Sequence, residues 1–184
     1  MTAEEREHGK GGHRADDARL ADGIRAHHAA MVAELEQITA AVREAGPGQE
    51  AAARDRARRW YADVLVPHAD EEEATTYAAA GELAEGKLLI EGMFLEHVLI
   101  KRLVGYFSQS DGAAAAAYAT AIFEVFDSHQ RKENDLILPL LVRSPAVSLA
   151  EAMGGHGRQL GHISGSAEKR ERPARPGDGW LHLK

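Results

Sequence analysis

With 184 residues, a net charge of −7 and no cysteine, the chain is long enough for one domain with its own core and has no means of forming thiolate metal sites, iron–sulfur clusters or disulfides. The acidic balance argues against nucleic acid as a partner, because phosphate recognition needs a basic face. No apolar run approaches the ~20 residues that span a bilayer, and the polar start MTAEEREHGKGGHRADD is not a secretory signal, so the expected setting is the cytoplasm, without a membrane partner.

Residues 1–15 mix glycine with charge and lack apolar periodicity, which predicts a flexible arm. From about Asp16 a helical rhythm begins. Ile24, His28, Met31, Leu35, Ile38 and Val42 alternate steps of three and four and share one face. Gly46-Pro47-Gly48 stops this helix.

The second helix is expected over 49–83. Its basic run RDRARR reads as solvated outer turns. Its inner face carries Tyr61, Val64, Leu65, His68, Glu72, Thr75 and Ala79. Pro67 lies inside it and predicts a kink near His68, since proline removes a backbone donor and clashes with the preceding turn. Gly81 and Gly86 bracket the exit.

A third helix, 87–107, presents Ile90, Met93, His97, Ile100, Val104 and Phe107 inward. Ser110-Asp111-Gly112 is a turn with an N-cap candidate. The fourth helix opens in an alanine-rich run and points Tyr118, Ile122, Val125, His129, Glu133, Leu136 and Leu140 inward. Pro139 bends its last turns, and Ser144-Pro145 ends it. A short helix at 147–153 comes next, then an irregular tail to 184, whose terminal WLHLK is a candidate for docking on the helices. Long helices with short connections predict an all-α, antiparallel up-down-up-down four-helix bundle over 16–143.

Four histidines, His28, His68, His97 and His129, occupy positions where the rhythm asks for an apolar residue. In HADEE and HQRKE a glutamate stands four residues after the histidine, so Glu72 and Glu133 aim at the same region of the core. A buried unpaired carboxylate is costly, and a cluster of highly charged cations compensates two of them. Imidazole and carboxylate without thiolate suit iron, manganese or zinc and not calcium or magnesium. Six side chains exceed a structural zinc site and fit two ions sharing two carboxylates, with an oxo or hydroxo bridge completing the pair. Iron is favoured, because open coordination on a histidine-rich pair suits oxygen chemistry.

The order H…HxxxE…H…HxxxE resembles the hemerythrin-like (HHE cation-binding) domain. RAHHAAMVAEL, LVPHADEEE, LEHVLIKRL and SHQRKENDLILPLL carry the likeness. The resemblance implies a four-helix bundle holding a non-haem di-iron centre, with His28, His68, His97 and His129 as terminal ligands and Glu72 and Glu133 as bridges. Two departures stand out. Oxygen carriers place a second histidine one turn from the first on the third helix, where this chain has Lys101 and Met93. They also place an aspartate five residues after the last histidine, where this chain has Asn134. Both departures are similar to the bacterial and regulatory branch and speak against reversible oxygen carriage.

His27 neighbours His28, but only His28 continues into Met31, Val32 and Leu35. Glu71 and Glu73 flank Glu72, which matches the four-residue step of the fourth helix, whose third residue is Lys132. Tyr61 and Tyr118 on inner faces read as core filling, or as extra donors in place of the missing histidine. Glu96 reads as an exposed residue, or as a partner of a ligating imidazole. His8, His13, His156, His162 and His182 fall outside the helical pattern.

The expected function is binding of, or reaction with, dioxygen, peroxide or nitric oxide in oxidative or nitrosative stress. A peroxidase- or catalase-like turnover, or consumption of nitric oxide, would be the activity. The alternative is an oxygen- or iron-sensing or iron-handling module without turnover. The residues name no redox or protein partner.

Overall fold

A computed structural model describes the backbone of residues 3–154 and the side chains of residues 14–154. Every regular element among the described residues is helical. Four arms succeed one another. The first is α1 (Ala3–Glu44). The second strings together α2 (Glu50–Trp60), a π-helical turn (Tyr61–Leu65), α3 (Val66–Ala74) and α4 (Thr76–Gly81). The third is α5 (Lys87–Ser108). The fourth joins α6 (Gly112–Lys132), a second π-helical turn (Glu133–Ile137) and α7 (Leu138–Arg143), and α8 (Leu149–Gly154) comes last.

The expected flexible arm is instead helical backbone from Ala3 onward. Alanine, glutamate and arginine dominate its first turns, and they are strong helix formers whose early acids suit the positive end of the helix dipole. The side chains of His8 and His13, the histidines 156, 162 and 182 and the WLHLK segment lie outside the described residues.

The second arm is not one helix. Thr75 leaves helical geometry at φ −122° and ψ −87°, separating α3 from α4. Both prolines sit just past a wide turn. Pro67 would clash with the carbonyl of Asp63, four residues back, and Pro139 with that of Asp135. Both acceptors lie inside the π-helical turns, where the backbone opens to make room.

Each wide turn adds a residue and rotates the rest of its arm about the helix axis. In the fourth arm the expected inner residues Leu136 and Leu140 are therefore displaced. Leu136 is 50% exposed, whereas Ile137, Leu138 and Leu141 are buried. Leu140 is half-buried, and further up the arm Phe126 is buried where Val125 was expected.

The buried side chains form two apolar clusters. One gathers Met31, Leu35, Ile38, Trp60, Leu65, Ile100, Phe107 and Phe126. The other gathers Ala21, Tyr77, Ile90, Met93, Ile137, Leu141 and Leu149. Every arm passes through both, and the residues between them are polar. Helix α8 is tied to α1 by Asp17, which accepts from the Ala150 backbone N–H at 2.8 Å and from the Ser148 hydroxyl at 3.1 Å.

Candidate metal centre

The polar layer between the clusters is built one arm at a time. α1 contributes His28, between Ala21 and Met31 on the same face. α3 contributes His68 and Glu72, one turn apart. α5 contributes His97, between Met93 and Ile100. α6 contributes His129 in its last turn, and Glu133 opens the wide turn beyond it. His28, Glu72, His97, His129 and Glu133 are buried.

The six side chains converge. Glu72 Oε1 lies 3.3 Å from His28 Nε2 and 3.1 Å from His68 Nε2, and Glu72 Oε2 lies 3.6 Å from His97 Nε2. Glu133 lies 3.4 Å from His129 Nε2 through Oε1 and 3.9 Å from His28 Nε2 through Oε2. Two groups of four donors result, His28, His68, Glu72 and Glu133 in one, and Glu72, His97, His129 and Glu133 in the other, each with its atoms within 4.8 Å of one another. The two carboxylates belong to both.

Three imidazoles are held from behind. His28 Nδ1 lies 2.9 Å from Asn134 Oδ1, His97 Nδ1 lies 2.9 Å from Glu73 Oε1, and His129 Nδ1 lies 2.9 Å from Glu96 Oε2. An imidazole that donates from Nδ1 presents the lone pair of Nε2 to the centre. Both glutamates are in turn gripped by lysines. Lys101 bonds Glu73 at 3.0 Å and Asp70 at 2.7 Å, and Lys132 bonds Glu96.

Burial works to raise the pKa of Glu72, but the neighbouring imidazoles, His68 foremost, overcome it and hold the carboxyl well below the usual range. His68 and His129 are shifted upward. Burial opposes this in both, and the Glu72 carboxylate beside His68 and the Glu133 carboxylate beside His129 outweigh it. These pairings do not satisfy the cluster. His28 Nε2, Glu72 Oε2 and Glu133 Oε2 are buried with no hydrogen-bond partner. Inward acceptors left over in two overlapping sets of four are what a pair of cations would satisfy, so the donor set fits the metal pair expected from the sequence.

One residue at the centre was not foreseen. The Tyr77 hydroxyl donates to Glu133 Oε1 at 2.5 Å and lies 3.0 Å from His129 Nε2 and 3.5 Å from His97 Nε2. Its ring stacks on His97 with centroids 5.1 Å apart and planes 13° from parallel. Burial, then the Glu133 and Glu72 carboxylates, push the phenol pKa strongly up, so against the protein groups alone it keeps its proton. In a continuous helix Tyr77 would face away from Glu72. The break at Thr75 turns it inward. The TT pair of β-branched residues ahead of Tyr77, each able to bond back to the helix, was the available signal.

The other tyrosines are elsewhere. Tyr61 packs edge-on against Phe107, 5.2 Å away, within the first apolar cluster, and Tyr118 is half-buried 5.6 Å from Tyr106. Neither is among the converging groups. Glu96 is half-buried and lies 2.9 Å from His129 Nδ1 through Oε2. His27 stays outside both sets of four, its ring edge-on to His68 at 5.5 Å. A cavity of about 330 Å³ reaches the centre past Leu20, Gly23, Ile24 and Met153, touching His28, His68 and Glu72.

A profile of the hemerythrin HHE cation binding domain matches residues 19–150. No curated protein and no solved structure matches the chain. The profile spans most of the sequence and contains all six converging residues, and the chain belongs to the hemerythrin HHE cation-binding domain family.

Proposed function

We propose that this chain is a non-haem di-iron protein that binds or reacts with dioxygen, peroxide or nitric oxide, serving oxidative or nitrosative stress in the cytoplasm. The observation that carries the reading is the pair of four-donor sets sharing Glu72 and Glu133. The frame is an antiparallel up-down-up-down bundle, supported by the order in which consecutive arms pass through the two apolar clusters: 21 to 42 and 90 to 107 in one sense, 57 to 80 and 115 to 141 in the other.

In this reading His28 and His68 would hold one iron and His97 and His129 the other, with Glu72 and Glu133 available to both. When bound, the pair supplies one-electron redox chemistry and an open position for a small oxidant. The chain's own groups set the rest. Asn134, Glu73 and Glu96 fix the orientation of three imidazoles, and Lys101 and Lys132 hold Glu73 and Glu96 in place. Tyr77 offers its oxygen at the His97–His129 end and donates a hydrogen bond to Glu133 Oε1. The cavity beside His68 admits the small molecule at the opposite end, and its apolar wall limits bulk water.

The test is iron content and absorbance of protein purified in air, then turnover of hydrogen peroxide and of nitric oxide. Two irons per chain with near-ultraviolet absorbance are expected, both lost together with turnover in His68→Ala and Glu72→Ala. Zinc or an empty centre after reconstitution with ferrous iron would overturn the di-iron reading. Full iron with no reaction toward either oxidant or dioxygen would leave the centre and remove the function.

A further inference from the structure

Helix α5 is apolar on two opposite faces. Ile90, Met93, His97, Ile100 and Phe107 are buried inward. On the other side Leu88, Leu95, Val98 and Tyr106 stand out at 81%, 71%, 59% and 47% exposure. Leu88, Leu95 and Arg102 recur every seven residues, and so do Gly92, Leu99 and Tyr106. A seven-residue repeat keeps a strip straight along a helix, here for about five turns. Scattered exposed leucines are ordinary, but a contiguous strip on a helix already buried on its other face marks an interface.

The charges in the strip select its occupant. Glu91 and Arg102 are exposed within it, and among the described residues neither forms an ion pair. Two copies of α5 side by side in parallel would set Glu91 against Glu91 and Arg102 against Arg102. Turned antiparallel about a two-fold axis at the level of His97, they set Glu91 beside Arg102 of the other copy twice over. The same register packs Leu95 on Leu99 of the second copy and Leu88 on Tyr106 of the second copy. It also lays the Arg102 stem across Gly92, where an added Cβ would meet nothing within 4 Å. A self-complementary patch of this kind is what a symmetric pair requires.

We propose that the outer face of α5 is the seat of a second copy of this chain, paired antiparallel through Leu88, Leu95, Leu99 and Tyr106 and keyed by two Glu91–Arg102 ion pairs. The surface is independent of the metal reading. It lies on the helix that carries Glu96, His97 and Lys101, so two centres would sit on either side of one seam.

Sedimentation velocity of the full chain over a range of concentrations tests this. A dimer is expected for the unaltered protein, and Leu95→Glu should yield a monomer with unchanged far-ultraviolet circular dichroism. Arg102→Glu should weaken the dimer about tenfold by replacing attraction with repulsion at two places. The double variant Glu91→Arg/Arg102→Glu should restore it. A monomeric unaltered protein, or a dimer indifferent to Leu95→Glu, would overturn the interface. A double variant as weak as Arg102→Glu alone would overturn the antiparallel register, and with it the proposal as stated.

Discussion

Tyr77 is the residue on which the chemistry of the centre turns. Its oxygen is within hydrogen-bond reach of Glu133 and His129, on the side that lacks a second α5 histidine. Beside ferric iron the phenol would exchange its proton for the metal and give a visible phenolate-to-iron absorption. Tyr77→Phe is expected to abolish that band while leaving the near-ultraviolet absorbance and the iron content. Identical visible spectra in the two proteins would show that the tyrosine donates only to Glu133. A second test concerns the groups behind the imidazoles. Glu96→Gln and Glu73→Gln each keep shape but release the lysine and weaken the grip on Nδ1. Iron affinity should fall about 10–100-fold in either variant, measured by competition with a coloured chelator. Affinity unchanged in both would mean that packing alone orients the rings. The six converging residues could be read from the sequence because each interrupts an apolar rhythm of three and four. Glu73, Asn134 and Tyr77 could not. Glu73 and Asn134 come directly after Glu72 and Glu133, so the periodicity places them off the inner face. They act through Nδ1 from the side of the ring.

At the level of elements, the two wide turns and the turn before α5 decide where side chains point. The period-3.6 pattern carries the expected inner face correctly along α1 and α5, which contain neither proline nor a wide turn. It fails after Glu133, because an extra residue per turn moves Ile137 and Leu141 into the places expected for Leu136 and Leu140. It fails again after Thr75, which is why Tyr77 was passed over. Pro67 and Pro139 announced a disturbance, but the number of residues absorbed by it depends on how the backbone opens, which periodicity does not contain. Glycine positions offer a sharp contrast. A Cβ on Gly86 would lie 2.0 Å from the Ala80 carbonyl oxygen, a backbone atom with little room to move, at the tight turn between α4 and α5. Gly86→Ala should destabilise the fold by roughly 3 kcal/mol or more in denaturant titration. Gly23 sits within α1 with nothing inside 4 Å of an added Cβ, so Gly23→Ala should stabilise by up to about 1 kcal/mol. Similar effects at the two positions would contradict this account of the turn.

The described residues form two apolar clusters with a charged layer between them, and that layer offers two sets of donors that could hold metal. Buried Glu72 and Glu133 each keep an oxygen without a protein partner, so the fold is less stable when nothing fills the gap. Removing iron with a chelator should lower Tm, and adding it back at a thousand times its dissociation constant should restore about 4 kcal/mol by mass action. In Glu72→Ala the melting temperature should no longer respond to iron, and a response retained there would place the metal elsewhere. The layer is also asymmetric. Tyr77 covers the His97–His129 end, while the 330 Å³ cavity reaches His28 and His68 past Gly23. Gly23 lines that cavity, and a Cβ there meets nothing within 4 Å, so a large side chain at this position would take up room in it. Gly23→Trp is therefore expected to leave iron content and absorbance unchanged while slowing the reaction with peroxide several-fold in stopped-flow mixing. A smaller oxidant such as nitric oxide should be slowed less, because what the tryptophan removes is room. An unaltered peroxide rate with iron still bound would mean that the oxidant arrives by another route, and the groove of about 300 Å³ between α1 and α6, which touches His28 and Asn134, would then be the path to block.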